Sequence, residues 1–472
     1  MLFCSQKFLY FFIIVFTLYW AIPNKRIRVW LLFGASFYFY ASWNAWLALL
    51  ICVSTIMDYA IGQGLDHLQG QWKRKSLLFI SLAANLGLLV YFKYSNFFIE
   101  QFYQAFRLPY SPLDPAKIFI PIGISFYTFE AINYTVDVYR KRVPAERNLA
   151  NFMLFITFFP HLVAGPIVRA RDFLPQIRRV KYWDWARIQL GVQLFLMGLF
   201  KKLAIADRMA LFADPVFDNP QNYNSNAVWL AVLAFAIQIY CDFSGYTDMA
   251  LGIAHMFGYK LSKNFNMPYI ATNVSDFWRR WHISLSTWLR DYLFIPLGGS
   301  RGTAYQTNRN LMITMILGGL WHGASWTFVV WGVVHGALLV VHRYWSAFSA
   351  VRPKLDAIFR SVPGTALRMF STFLCVSLAW VFFRAKTFTL AGEMFRRLFI
   401  PHPGMTSPLH NRSLWATVLL MVICHLLARS GAWKRMSVRL PAPVMGFGYA
   451  LAMTIALVLA PDSGKAFIYF QF

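Results

Sequence analysis

Residues 311–342 read LMITMILGGLWHGASWTFVVWGVVHGALLVVH. As one helix at ~1.5 Å per residue this apolar stretch would be about 48 Å long, too long for one straight crossing of a ~30 Å hydrocarbon core. A break near Gly318-Gly319 is therefore expected. The stretch also carries a histidine, His322, deep in apolar surroundings. An imidazole in such a run is either a functional group, because ionisable groups are costly in lipid, or a histidine hydrogen-bonded across a helix interface.

The same apolar character recurs along the chain. Runs at about 8–22, 29–41, 45–62, 76–99, 118–138, 226–257, 367–383, 413–428 and 443–460 each have the length and polarity of a membrane segment. The run at 8–22 lacks a small-residue cleavage site and is followed at once by Pro23, Lys25, Arg26 and Arg28, so it reads as a retained span. The expectation is an all-α polytopic membrane protein with ten to twelve membrane segments, forming a single domain over 1–472 with no internal repeat.

Composition excludes the alternatives. Only 14% of the 472 residues are charged, against roughly 25% in soluble globular proteins. Hydrophobic residues make up 58%, and the mean hydropathy is +0.47. That is too little polar surface for a soluble enzyme and too much apolar residue for a disordered chain. Lys and Arg number 45 against 19 Asp and Glu, giving +26. In a soluble protein such an excess points to nucleic acid. Here the basic residues sit between apolar runs, the pattern of cytoplasmic loops and lipid-surface anchors, and no nucleic-acid partner is expected. The five cysteines are scattered and form no CxxC pair, so neither a disulfide framework nor a zinc site is indicated.

Loop charge orients the early spans. Lys25, Arg26 and Arg28 follow the first, Lys73, Arg74 and Lys75 the third, and Arg140, Lys141 and Arg142 the fifth. The turn Ala41–Ala45 carries no charge, and the 100–117 loop is nearly neutral. The positive-inside rule makes the basic loops cytoplasmic and the N-terminus extracytoplasmic. Residues 150–213 read differently. Pro160, Gly165-Pro166 and the series Arg169, Arg171, Arg178, Arg179 and Lys181 suit a re-entrant piece and an amphipathic interfacial helix.

Four clusters carry possible chemistry. Around His322, Gly318, Gly319 and Gly323 leave room and Trp321 forms a wall; neutral imidazole is a general base near pH 7. Gly319/Gly323 and Gly332/Gly336 are also GxxxG pairs, which let helices approach closely. The block Asp276 to Tyr292 contains Trp278-Arg279-Arg280-Trp281-His282. Read as one helix capped by Ser275 or Asp276, it groups Trp278, Trp281 and His282 on one face; the alternatives are an interfacial anchor and a cavity wall whose arginines meet an anionic group. Asp242 and Asp248 lie inside the run at 226–257, where the plain reading pairs them with Arg279, Arg280 or Arg290. Gly298-Gly299-Ser300-Arg301-Gly302 is either a phosphate cradle or a short turn. No GxSxG, HxxxD, GxGxxG or Walker A motif is present.

In this order the clusters resemble those of the membrane-bound O-acyltransferase (MBOAT) family, in its alginate O-acetylase-like branch that acetylates bacterial polysaccharides. The resemblance rests on Pro121 to Tyr127, Phe159-Pro160-His161 to Gly165-Pro166, Asp242 to Asp248, Phe277 to Tyr292 and Gly318 to Gly323, and covers residues 1 to about 390. It implies a ring of helices around a thin core with a tunnel. It implies His322 as the intramembrane catalytic histidine, acting as general base or acyl carrier, and His282 as the second. Trp278, Arg279, Arg280, Trp281, Trp321 and Asp242 are the substrate-binding candidates. No bound cofactor or metal is expected; acetyl-CoA or another acyl-CoA is the implied donor. The expected setting is the bacterial inner membrane, among lipids, with an extracytoplasmic SGNH-type partner and a polysaccharide acceptor. Within the family, peptidoglycan, cellulose and teichoic acid are alternative acceptors. Outside it, the competing reading is a channel or exporter for a donor or polysaccharide. A passive pore has no need of a glycine-walled imidazole.

Overall fold

The computed structural model describes residues 1–107, 121–432, 435, 440–460 and 467. Most of the neutral loop expected at 100–117, and the start of the segment expected at 118–138, lie outside these residues. The described chain divides into two compact units, 1–195 with 246–262 and 196–245 with 263–472. It is built of α-helices, as the apolar runs require. Among the described residues, eight helices are long and apolar enough to cross a membrane. The chain is therefore a multi-pass membrane protein.

The first unit opens with α1 (Gln6–Ala21), α2 (Lys25–Ala41) and α3 (Ala45–His67), each started by a side-chain cap, from Ser5, Asn24 and Asn44. Helices α4 (Gln71–Leu89) and α5 (Ser95–Ala105) are joined through a π-helical turn. Next come α6 (Ile124–Tyr139), α7 (Leu149–Thr157), the single turn α8 (Phe159–Leu162), α9 (Ala170–Arg178) and the start of α10 (Trp185–Phe200). Buried polar groups hold these elements together. Asp58 on α3 accepts hydrogen bonds from Ser81 (2.6 Å) and Asn85 (2.9 Å) on α4, and Ser81 reaches Thr135 on α6 at 3.1 Å. On α6, Glu130 takes the Val168 N–H at 2.9 Å and pairs with buried His161 at 3.2 Å. The Phe159–Gly165 motif thus finds a structural use, pinning a buried irregular segment to α6.

The second unit continues α10 through a π-helical turn at 201–206 into α11 (Asp207–Asp218). The whole stretch Trp185–Asp218 qualifies as a span. This corrects part of the expectation of re-entrant and interfacial pieces over 150–213. Lys202, inside this stretch, is neutralised within the fold, bridging Asp207 at 2.8 Å and Asp242 at 2.7 Å. Helix α12 (Ser225–Met256) is 89% buried along its apolar window, whereas the C-terminal helix Ala442–Leu459 is 6% buried. Burial in protein rather than lipid is what lets α12 carry Gln238 and Asp242. The helices α13 (Val274–Arg280), α14 (Ile283–Leu289), α15 (Ala304–His322), α16 (Trp326–Ala350), α17 (Pro353–Arg360) and α18 (Val362–Arg384) follow. The unit ends with α19 (Phe388–Phe399), α20 (Asn411–Arg429) and α21 (Ala442–Leu459).

Two expected details shift. The 311–342 stretch breaks at Gly323–Ser325, not at Gly318-Gly319; α15 ends on His322 and Ser325 caps α16. The glycines before the break serve packing instead. A Cβ on Gly319 would lie 2.3 Å from the Phe328 carbonyl oxygen, and one on Gly332 2.4 Å from that of Met315. Helices α15 and α16 therefore touch backbone to backbone, as GxxxG allows. The block 274–292 is also not one helix. It breaks at His282, whose φ of 42° is left-handed, and its cap is Asn273, whose side chain accepts the Asp276 N–H.

Candidate functional site

The site lies in the second unit and is built from helix ends. His322 is the last residue of α15 and is buried. Extended Gly323 follows, so the imidazole stands where the helix stops and not inside a continuous rod. Three aromatic rings contact it edge-on. Trp321 lies at 5.0 Å between ring centroids, Trp331 of α16 at 5.1 Å and Phe383 of α18 at 5.2 Å. Gly323 does not open onto the imidazole, as the sequence reading expected. A Cβ there would strike the Phe328 ring at 2.2 Å.

His282 occupies the kink between α13 and α14, fully buried. Its strained backbone is held from the 264 loop. Asn264 accepts both the amide and the hydroxyl of Ser284, at 3.3 and 2.6 Å, and the Asn264 carbonyl accepts the Ile283 N–H at 2.9 Å. The imidazole packs on Phe243 at 4.7 Å and reaches Trp321 at 6.1 Å. Trp321 therefore touches both histidines that the sequence singled out. Because the helix is broken at His282, the helical face proposed for Trp278, Trp281 and His282 does not exist.

The remaining candidates separate. Trp281 is buried against Phe277, Phe265 and Trp380 and acts as core. Trp278 lies against Trp331 at 5.8 Å, one ring from His322. Arg279 and Arg280 both turn onto Asp276, at 3.6 and 3.0 Å; the Arg279 side chain is 68% exposed and Arg280 28%. Asp242 forms a buried ion pair with Lys202 at 2.7 Å, and Arg290 pairs with Asp291 at 2.8 Å. At 298–299 both glycines have positive φ, and the Gly299 carbonyl is tied to Asn310, as in a turn.

One residue escaped the sequence reading. His335, one turn along α16 from Trp331, is fully buried with its ring 4.7 Å from Trp331 and 5.1 Å from Trp278. The signal was present as the i, i+4 spacing of Trp331 and His335, inside the glycine pair read only for packing.

The fold is that of a multi-pass membrane protein, with a buried imidazole at a helix break beside two indoles. The chain belongs to the membrane-bound O-acyltransferase family, whose model matches residues 32–383. It is an O-acyltransferase. Three relatives narrow this. A probable alginate O-acetylase, AlgI, of Azotobacter vinelandii is 42% identical, over 90% of this chain and 84% of its own length. The peptidoglycan O-acetyltransferase of Helicobacter pylori is 38% identical, over 78% of this chain and 73% of its own. A teichoic acid D-alanyltransferase of Streptococcus thermophilus is 29% identical, over 56% and 68%.

Proposed function

We propose that the protein moves an acetyl group from a cytoplasmic donor, acetyl-CoA, toward a polysaccharide outside the inner membrane, handing it to an SGNH-type partner. The names of its relatives supply the acyl class: two are acetyl transferases, and the more similar of them is an alginate O-acetylase. The basic loops at 25–28, 73–75 and 140–142 favour a cytoplasmic side there and an extracytoplasmic N-terminus.

The observation that carries the chemistry is His322, buried at a helix end with three aromatic rings around it. In the proposed step, a neutral His322 nitrogen takes the proton of the acceptor hydroxyl. The freed oxygen attacks the thioester carbonyl and the C–S bond breaks. The departing thiolate takes the proton back from the imidazolium, so CoA leaves as the thiol and His322 returns neutral. Aromatic walls exclude water that would otherwise hydrolyse the thioester. In this reading Arg279 and Arg280, at the end of α13, meet the donor's phosphates; the exposure of Arg279 supports it. His282 positions Trp321, which borders the reacting imidazole.

The test is thiol release from acetyl-CoA by purified protein in proteoliposomes, with the SGNH-type partner and an acidic polysaccharide supplied on the opposite face. Thiol on one side and acetyl ester on the other support the reading. Passage of intact acetyl-CoA without thiol release would favour a channel.

A further inference from the structure

One end of the first unit gathers basic side chains that no carboxylate neutralises. Arg171 and Arg178 are paired, with Asp172 and Glu146. Arg28 on α2, Arg179 and Lys181 in the link from α9 to α10, and Arg187 in the first turn of α10 have no ion pair among the described residues. The fold holds them by uncharged contacts instead. Arg28 donates to the carbonyls of Ile22 at 2.6 Å and Lys181 at 2.8 Å, fastening the link to the α1–α2 turn. Arg187 donates to the Tyr182 carbonyl. The Lys181 amine lies 4.5 Å from the centre of the Tyr259 ring. Burial, and then the charges of Arg187 and Arg179, hold its pKa down at about 8. The acid of this link, Asp184, accepts the Arg187 backbone N–H at 3.2 Å and makes no ion pair with its guanidinium. Indoles interleave the cations. Arg28 and Arg187 stand 5.1 and 5.9 Å from the Trp20 ring, which meets Trp183 at 5.2 Å, and Trp183 meets Trp185 at 5.1 Å. The outer rings are open, Tyr182 at 75% and Trp185 at 68% exposure.

We infer that this patch binds the headgroup of an anionic phospholipid, its phosphate among Arg179, Lys181 and Arg187 and its glycerol and upper acyl chain against Trp183 and Trp185. Like charges held together repel, and a phosphate supplies the negative charge that the fold does not. The arginine fork matches phosphate geometry. Arg179 is exposed, and Lys181 and Arg187 are half-buried, so an anion reaches the group from outside. The choice of lipid over a soluble anion follows from the rings and from the place. Trp185 is the first residue of the span Trp185–Asp218, so the cations stand where a crossing helix meets the headgroups. Exposed indole and phenol rings are favoured at that level of a bilayer, one end apolar and the other wet. All these residues belong to the first unit, and the inference is independent of the acyl-transfer reading.

The experiment titrates the full-length protein, in a neutral detergent, with phosphatidylglycerol or with phosphatidylcholine of the same acyl chains. Bound lipid is read by native mass spectrometry, and melting is followed in parallel. Phosphatidylglycerol should be retained and should raise the melting temperature, more at low salt than at high salt. Arg179→Gln removes one exposed cation and should weaken that binding about fivefold. Arg179→Gln with Lys181→Gln and Arg187→Gln should weaken it more than about tenfold. Arg412→Gln, which removes an exposed cation on α20, should leave it unchanged. Where the triple variant fails to accumulate, Arg179→Gln decides, because its side chain is exposed. Equal retention of the two lipids by the wild type overturns the inference, and so does undiminished phosphatidylglycerol binding in Arg179→Gln. Displacement of the lipid by an equal concentration of inorganic phosphate or CoA overturns it as well, since the patch would then be a soluble-anion site.

Discussion

The imidazole of His322 meets the indole of Trp331 edge to face, with ring centroids 5.1 Å apart and planes at 88°. The two residues sit on either side of a helix break, His322 ending α15 and Trp331 in the second turn of α16. The break is what brings them together. A continuous helix would place residues nine apart far along its axis. The position of the His322 imidazole thus depends on how tightly α15 and α16 pack.

That packing gives a first prediction. A side chain at Gly332 would meet the Met315 carbonyl at 2.4 Å and the Ile316 Cα at 3.0 Å, both backbone atoms that cannot swing aside. Gly332→Val should cost roughly 1–3 kcal/mol or more by overpacking and lower the melting temperature in detergent. Gly392, on α19, has nothing within 4 Å of its Cβ position. Gly392→Ala should leave melting unchanged or raise it slightly. Equal effects at the two sites would contradict the backbone contact.

The buried triad gives a second. Lys202 neutralises Asp207 and Asp242 at 2.8 and 2.7 Å with all three side chains nearly inaccessible. Lys202→Met should strand two carboxylates and cost about 3–5 kcal/mol. Asp242→Asn should cost less, because Lys202 keeps Asp207. Detergent melting curves of the two variants test the order; a more stable Lys202→Met would refute the triad as a support.

What was legible in the sequence, and what was not, divides along one physical line. Apolar length placed α3 at 45–67 and α12 at 225–256 close to the runs read directly. The Trp-His pairs at 281–282 and 321–322 stood out because polar rings are rare in such runs. What failed depended on distant partners. The span at 185–218 was obscured by the breakers and charges just before it, Pro160, Gly165-Pro166 and Arg169 to Lys181, and nothing local reveals that Asp242, forty residues on, neutralises the Lys202 inside it. The kink at His282 requires the Asn264 loop, so a helical wheel could not foresee it. His335 was overlooked because its neighbouring glycines already had a packing explanation.

His282 gives a third prediction. Its φ of 42° is tolerated by Asn far better than by a β-branched residue. His282→Asn should keep the kink, normal abundance and part of the transfer activity. His282→Val should lose abundance. Acetyl transfer normalised to membrane protein checks both, and total loss in a well-folded His282→Asn would raise His282 to equal rank with His322.

The central claim is that His322 performs the transfer chemistry. Its most direct test is His322→Ala, with acetyl ester formed on the polysaccharide measured per unit of membrane-inserted protein. The substitution removes edge-on packing against the rings of Trp321, Trp331 and Phe383 and costs some stability, which is why acetylation is read per inserted molecule. Acetylation should fall by about two orders of magnitude or more, the size of a lost general base. Wild-type acetylation at wild-type abundance would contradict the account.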